Sequence, residues 1–169
     1  MKIHKLKPEE IVPNCDIPVR LITCLQDGAS KRSDVYIAEK WLKGLEKDYC
    51  KDLLKDTTEA LVWLEAMNDK GKELRRNLNP FTFDFEALYD SLNPELVFDA
   101  IEDAMDVCRE DWSYEFKCWL LDLVKLSIDS AVGEFQTKFY KPKGGLPTGG
   151  SLSVEVANIT VFCSEKSTV

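Results

Sequence analysis

Three phenylalanines in strict alternation, Phe81, Phe83 and Phe85, constrain this chain more than any other short stretch. Thr82 and Asp84 separate them, so the pattern has the two-residue period of a strand with one aromatic and one polar face. Burying each ring is worth about 1.5–3 kcal/mol, which gives the strand a reason to be covered on that face. Asp84 then projects from the opposite face of a fixed backbone. A carboxylate held in this way suits metal binding, because its oxygens keep register with a second ligand. The same alternation also fits a solvated Asp on a half-exposed strand, and the choice between the two rests on the rest of the chain.

The remaining sequence supplies the material for one domain. At 169 residues, with 44% hydrophobic and 31% charged residues, the chain is long enough for a sizeable core and is not of disordered composition. No apolar run approaches the ~20 residues of a membrane span, and Met1-Lys2-Ile3-His4-Lys5 leads into no signal-peptide core. An intracellular protein without membrane contact is expected. The six cysteines form no C-x-x-C pair and the chain has a single His, so free thiols are expected and a zinc site is not. The net charge of −8 opposes binding to a polyanion. Cations are supplied locally, at Lys31 and Arg32, at Arg75 and Arg76, and at Lys138, Lys141 and Lys143.

Helical periodicity dominates between these landmarks. Val35, Ala38, Trp41, Leu42, Leu45 and Tyr49 recur at spacings of three and four and predict a helix over about 33–50. Asp56 with Glu59 three residues on resembles a capping box. It opens a helix carrying Ala60, Leu61, Trp63, Leu64 and Met67, also expected to be core, that stops near Gly71. Asn93 as N-cap, Pro94 at the first helical position and Glu95 at the positive end of the dipole announce a third helix. Its predicted buried stripe is Leu96, Val97, Ala100, Ile101, Ala104 and Cys108. A fourth helix starts near Ser113, with Phe116, Leu120, Leu123, Val124 and Ser127 aligned. Two stretches read as strands, Pro18–Thr23 and the alternating run Glu134–Tyr140.

A glycine-rich loop, Lys143-Gly144-Gly145-Leu146-Pro147-Thr148-Gly149-Gly150-Ser151, then leads into a last helical stretch. Its spacing brushes against a P-loop, but that motif needs Lys where Gly150 stands. Glycines here allow a close approach of the backbone that a Cβ would block.

Taken together, these stretches resemble reverse transcriptases. Phe83-Asp84-Phe85-Glu86-Ala87-Leu88-Tyr89 is similar to the first catalytic motif of that family. Lys143–Ser153 followed by Ala157-Asn158 looks like its second palm motif, and the strand bearing Arg20 resembles its fingers strand. Phe139-Tyr140-Lys141 is similar to the Penelope-like branch. The resemblance spans roughly residues 18–162. It departs from the family at Leu21, where Pro is usual, at Pro142 or Gly144, where Gln is usual, and at Gly150, where Ser is usual.

The resemblance implies an α+β fold, a partial right-hand polymerase made of fingers and the first part of the palm, helix-rich with a small antiparallel sheet. Residues 1–17 would lead into a partial reverse-transcriptase domain over 18–169. Asp84 would be catalytic and a metal ligand, assisted by the carbonyl of Phe85. Arg20 would meet the triphosphate, Tyr89 would screen the sugar, and Gly145, Pro147 and Gly149 would lie against template and incoming nucleotide. The implied activity is template-directed nucleotidyl transfer with two Mg²⁺ ions, a nucleic acid template and primer, and a dNTP. The family's Tyr-x-Asp-Asp hairpin and thumb have no counterpart in this sequence, so an inactive, truncated retroelement fragment is expected. Without that hairpin, the strand at 81–85 would keep an open edge and favour self-association. The rivals are a non-catalytic helical protein-interaction domain derived from such a fragment, and an unrelated helical domain.

Overall fold

The computed structural model describes residues 2–3, 19–20, 31–54, 56–73, 82, 84–135 and 138–166, with the backbone alone at 2–3, 19–20 and 134–135. The chain divides into a first unit, Met1–Tyr49 with Ala87–Val169, and a second unit, Cys50–Glu86.

The first unit is built on helices. α1 (Lys31–Ile37) runs through a π-helical turn (Ala38–Leu42) into α2 (Lys43–Tyr49), so the predicted helix over 33–50 forms with one wide turn inside it. Ile37, Ala38, Leu42, Leu45 and Tyr49 are buried, whereas Val35, expected on the same stripe, is exposed. In the chain order used here, α3 is the helix of the second unit (Thr57–Glu73), and α4 (Leu88–Ser91) is a single turn. α5 (Pro94–Cys108) starts as its sequence predicts, with Asn93 Oδ1 accepting from the Glu95 N–H at 3.0 Å and Pro94 in the first turn. Val97, Ala100, Ile101, Ala104 and Met105 face inward, while Leu96 is exposed. α6 (Tyr114–Asp129) is capped by Ser113, whose Oγ accepts from the Phe116 N–H, and buries Leu120, Val124 and Ser127. α7 (Ser153–Lys166) closes the described chain and packs on α5 and α2. The core therefore lies where α2, α5 and α7 meet, with α6 packed on α5.

Strands are few and short among the described residues. β1 (Lys2–Ile3) pairs antiparallel with β2 (Val19–Arg20), and β3 (Gly133–Phe135) pairs antiparallel with β4 (Lys138–Tyr140). The run expected as one strand over 134–140 thus divides, and its described ends belong to two short strands that pair with each other. The remainder of the predicted strand at 18–23 lies outside the described residues. A fingers-and-palm polymerase fold with its antiparallel sheet is not the architecture that forms: two separate two-stranded pairings accompany a helical body.

The second unit overturns two further expectations. α3 begins as predicted, with Asp56 Oδ1 accepting from the Glu59 N–H at 2.9 Å. Yet Leu61, Trp63 and Leu64, expected as core, are exposed, and Gly71 is the one residue of α3 that is buried. Phe81 and Phe83 lie outside the described residues. Thr82, Asp84 and Phe85 are exposed and belong to no strand, so the strand and its open edge do not exist at Asp84 and Phe85. The physical reason is local. Asp84 Oδ1 accepts from the Phe85 N–H at 2.9 Å, a side-chain bond that competes with ladder pairing. A turn follows at once, ending in Ala87 with φ 51° and ψ 47°, a left-handed conformation that no strand contains.

Candidate functional site at the glycine-rich loop

The glycine-rich loop is the part of the first unit where predicted site residues meet. Gly145 takes φ +75° and is buried against α4. A Cβ at this position would overlap the Tyr89 carbonyl oxygen and stand 2.9 Å from Asp90 Cα. The next residue completes the contact, because the Leu146 N–H donates to the Tyr89 carbonyl at 2.7 Å. Leu146 is itself buried, which anchors the loop from below. Two motifs more than fifty residues apart in sequence are therefore joined backbone to backbone, and only glycine fits at the junction.

The loop is then closed by its own bonds. The Pro147 carbonyl accepts from the Gly150 N–H at 3.0 Å and from Ser153 Oγ at 2.6 Å. Gly149 takes φ +93° and stays exposed. Gly150, where the reverse-transcriptase pattern has Ser, is packed so that a Cβ would stand 2.6 Å from Ser153 Oγ. The absence of a side chain at Gly150 is thus tied to the way this loop caps α7. Further along α7, Asn158 Nδ2 donates to Glu46 Oε1 of α2 at 2.6 Å, fixing the helix that follows the loop.

Beside the loop lies a pocket of about 290 Å³ between the start of α5, the end of α6 and residues 141–147. Pro94 and Phe98 come from α5, Lys125, Ile128 and Asp129 from α6, and Lys141, Lys143 and Pro147 from the loop side. Lys125 Nζ sits 5.6 Å from the centre of the Phe98 ring. Lys141 Nζ is 3.8 Å from Asp129 Oδ1, with both side chains largely exposed, a pair of little energetic weight.

The other predicted site residues are placed as follows. Tyr89, Gly145, Pro147 and Gly149 belong to the first unit, and Tyr89 and the Gly145–Leu146 segment touch. Asp84 and Phe85 belong to the second unit, where Asp84 is an exposed carboxylate with Oδ1 engaged by the neighbouring N–H. Arg20 lies on β2, opposite Lys2. Among the described residues no three His, Cys, Asp or Glu side chains converge as a metal donor set. A two-metal centre needs several carboxylates around both ions, and Asp84 is the one carboxylate that the resemblance assigns to it. No helix among the described residues is long and apolar enough to cross a membrane.

Three acidic or phenolic groups of the first unit carry features that sequence reading did not find. Asp34 and Glu155 are buried, and Asp34 Oδ2 and Glu155 Oε2 have no hydrogen-bond partner. Burial pushes the Glu155 carboxyl above its ordinary value, reinforced by Glu46 and Glu39 and opposed by Lys43 and the local backbone. Tyr49 donates its hydroxyl to Asp103 Oδ2, and burial with this bond holds the phenol well above its ordinary range. Lys166 Nζ lies 4.1 Å from the centre of the Tyr49 ring and 4.8 Å from that of Phe162. In sequence, Asp34 and Glu155 look like ordinary first-turn acids, and nothing in their spacing marks them as buried.

Comparison with protein-family models, curated proteins and solved structures gives no match to this chain.

Proposed function

We propose that this chain is a segment of a retroelement RNA-directed DNA polymerase, in which template-directed nucleotidyl transfer belongs to the complete protein and not to this chain alone. The observation that supports the reading is the junction of Leu146 and Gly145 with Tyr89, which joins the two stretches that resemble the family's motifs. Asp84 alone cannot hold two metal ions, so further carboxylates would have to come from another segment or a partner. With a net charge of −8, nucleic acid would be held weakly and lost steeply with salt.

Photocross-linking of a primer–template carrying a photoreactive base at the primer end tests this. Cross-links should map to Tyr89 and to residues 144–150, and the purified chain should extend no primer with Mg²⁺ or Mn²⁺. Cross-links scattered over the surface, or confined elsewhere, would remove the reading. Extension abolished by Asp84→Asn would instead show that a complete site exists in this chain.

A second reading, a non-catalytic helical protein-interaction domain derived from such a segment, is favoured by one observation. Leu61, Val62, Trp63 and Leu64 of α3 are all exposed, and apolar residues clustered in this way are the material of protein contacts. Partner binding that is indifferent to divalent metal and weakened by Trp63→Ala would select it.

A further inference from the structure

The pocket beside the glycine-rich loop has a use that neither motif assigns. Three of the residues lining it, Lys125, Lys141 and Lys143, carry ammonium groups, and Asp129 is the one carboxylate among them. Three cations against one anion is a reversal of sign on a chain whose net charge is −8. The cations come from two separate parts of the chain, α6 and the loop, so their convergence is made by the fold and is not a run in sequence. Lys125 Nζ lies 5.6 Å from the centre of the Phe98 ring, so a cation and an apolar surface stand side by side in the lining. Gly144 adds room, because nothing stands within 4 Å of where its Cβ would be. The start of α5 also lies in the wall, and the positive end of its dipole adds to the same field.

We propose that this pocket binds a phosphoryl group, with the lysines ringing its oxygens and Phe98 beneath the organic part it is attached to. Lysine is a point-charge donor to phosphate, and oxygens ringed by ammonium groups from two sides are bound more tightly than by any one of them. At about 290 Å³ the pocket is at the lower end of ligand-sized cavities, enough for one phosphate ester and not for a length of duplex. The phosphoryl group can belong to a free phosphate ester or to the backbone of a single strand passing the mouth. The proposal does not depend on the polymerase reading.

Amide shifts of the labelled full chain test it in three arms at constant ionic strength: inorganic phosphate, a 5′-mononucleotide and a short single-stranded oligonucleotide. Saturable shifts are expected at Gly144, Gly145 and Lys125, with affinity falling about tenfold or more in Lys125→Ala/Lys143→Ala. The control Lys70→Ala/Lys72→Ala, on exposed positions of α3, should leave the affinity unchanged. Both pocket lysines are exposed, so thermal melting should confirm that the pair variant stays folded. A mononucleotide bound at least as tightly as the oligonucleotide identifies a free ester as the source, and the reverse order identifies a strand. Equal affinity in the pair variant, or shifts that fail to saturate or appear equally outside the pocket, would overturn the proposal. Failed cross-linking at Tyr89 would leave it standing, since that experiment reads the junction and not the lysines.

Discussion

α5 and α3 are nearly equal in length and both rich in apolar residues, yet one builds the core and the other buries only a glycine. The difference lies in phase. On α5 the buried positions 97, 100, 101, 104 and 105 recur at three and four and share one narrow face. On α3 the run Leu61-Val62-Trp63-Leu64 is consecutive, and at 100° per residue it covers about 300° of the helix surface. No single neighbour can cover such an arc. An apolar count therefore says how much surface wants cover, whereas its phase says whether one partner suffices.

The largest expected effect tests that contrast directly. Ile101→Ala should lower stability by about 2–5 kcal/mol, through lost burial and the cavity left behind. Leu61→Ala should stay within about 0.5 kcal/mol, since its side chain is 57% exposed. Urea unfolding of the two variants reads both, and similar losses would break the distinction between the helices.

A smaller effect is expected where the loop meets α4. Gly145→Ala places a Cβ at φ +75° against the Tyr89 carbonyl and Asp90. It should cost about 2 kcal/mol or more and expose the Leu146 amide to exchange. The same change at Gly144, which has open space around it, should leave the Leu146 amide protected. Equal exchange in both variants would show that the junction is not held by backbone fit.

The smallest effect sharpens how dry the core is at its edge. The native Glu155 carboxyl lies above its ordinary value, so the folded chain binds that proton more tightly than the unfolded chain. Stability from this group is present below the ordinary value of 4.5 and declines as pH rises through the raised native value. Glu155→Gln cannot ionise. It should be more stable than the wild type at neutral pH, with the gap closing below pH 4.5. A gap that is constant with pH would mean that the carboxyl is solvated after all.

Much of the helical frame was legible because local chemistry decides it. Asn93, Ser113 and Asp56 cap as their residue types suggest, and Val97, Ala100, Ile101 and Ala104 of the α5 stripe are inward as their period requires, whereas Leu96 at its start is not. α3 departs from its expected burial because of phase: its apolar content matches a core helix, while its consecutive run does not. The alternation at 81–85 misled for another reason. A period of two states what a strand would look like but provides no pairing edge, and Asp84 bonded to its own neighbour instead. At the candidate site, the glycines signal a close approach, and the contact is made by the Tyr89 carbonyl, which residue type does not announce. Lys125 carried no signal at all, since only the fold brings α6 beside the loop.

The wide turn at Ala38–Leu42 governs what the two ends of one long rod can touch. In an unbroken α-helix, Ile37 and Leu42 would mark the limits of an arc of roughly 140° containing Ala38, Leu45 and Tyr49. The extra residue held in the turn rewinds the far end and gathers these side chains onto a tighter line. It acts as a phase adjuster, with Asp34 and Ile37 on one side and Leu45 and Tyr49 on the other. Shortening the turn by one residue would swing the Tyr49 end by about 100°, away from Asp103 and Phe162. Length in this segment is therefore a structural variable in its own right, and a single inserted or lost residue would count for more than most substitutions.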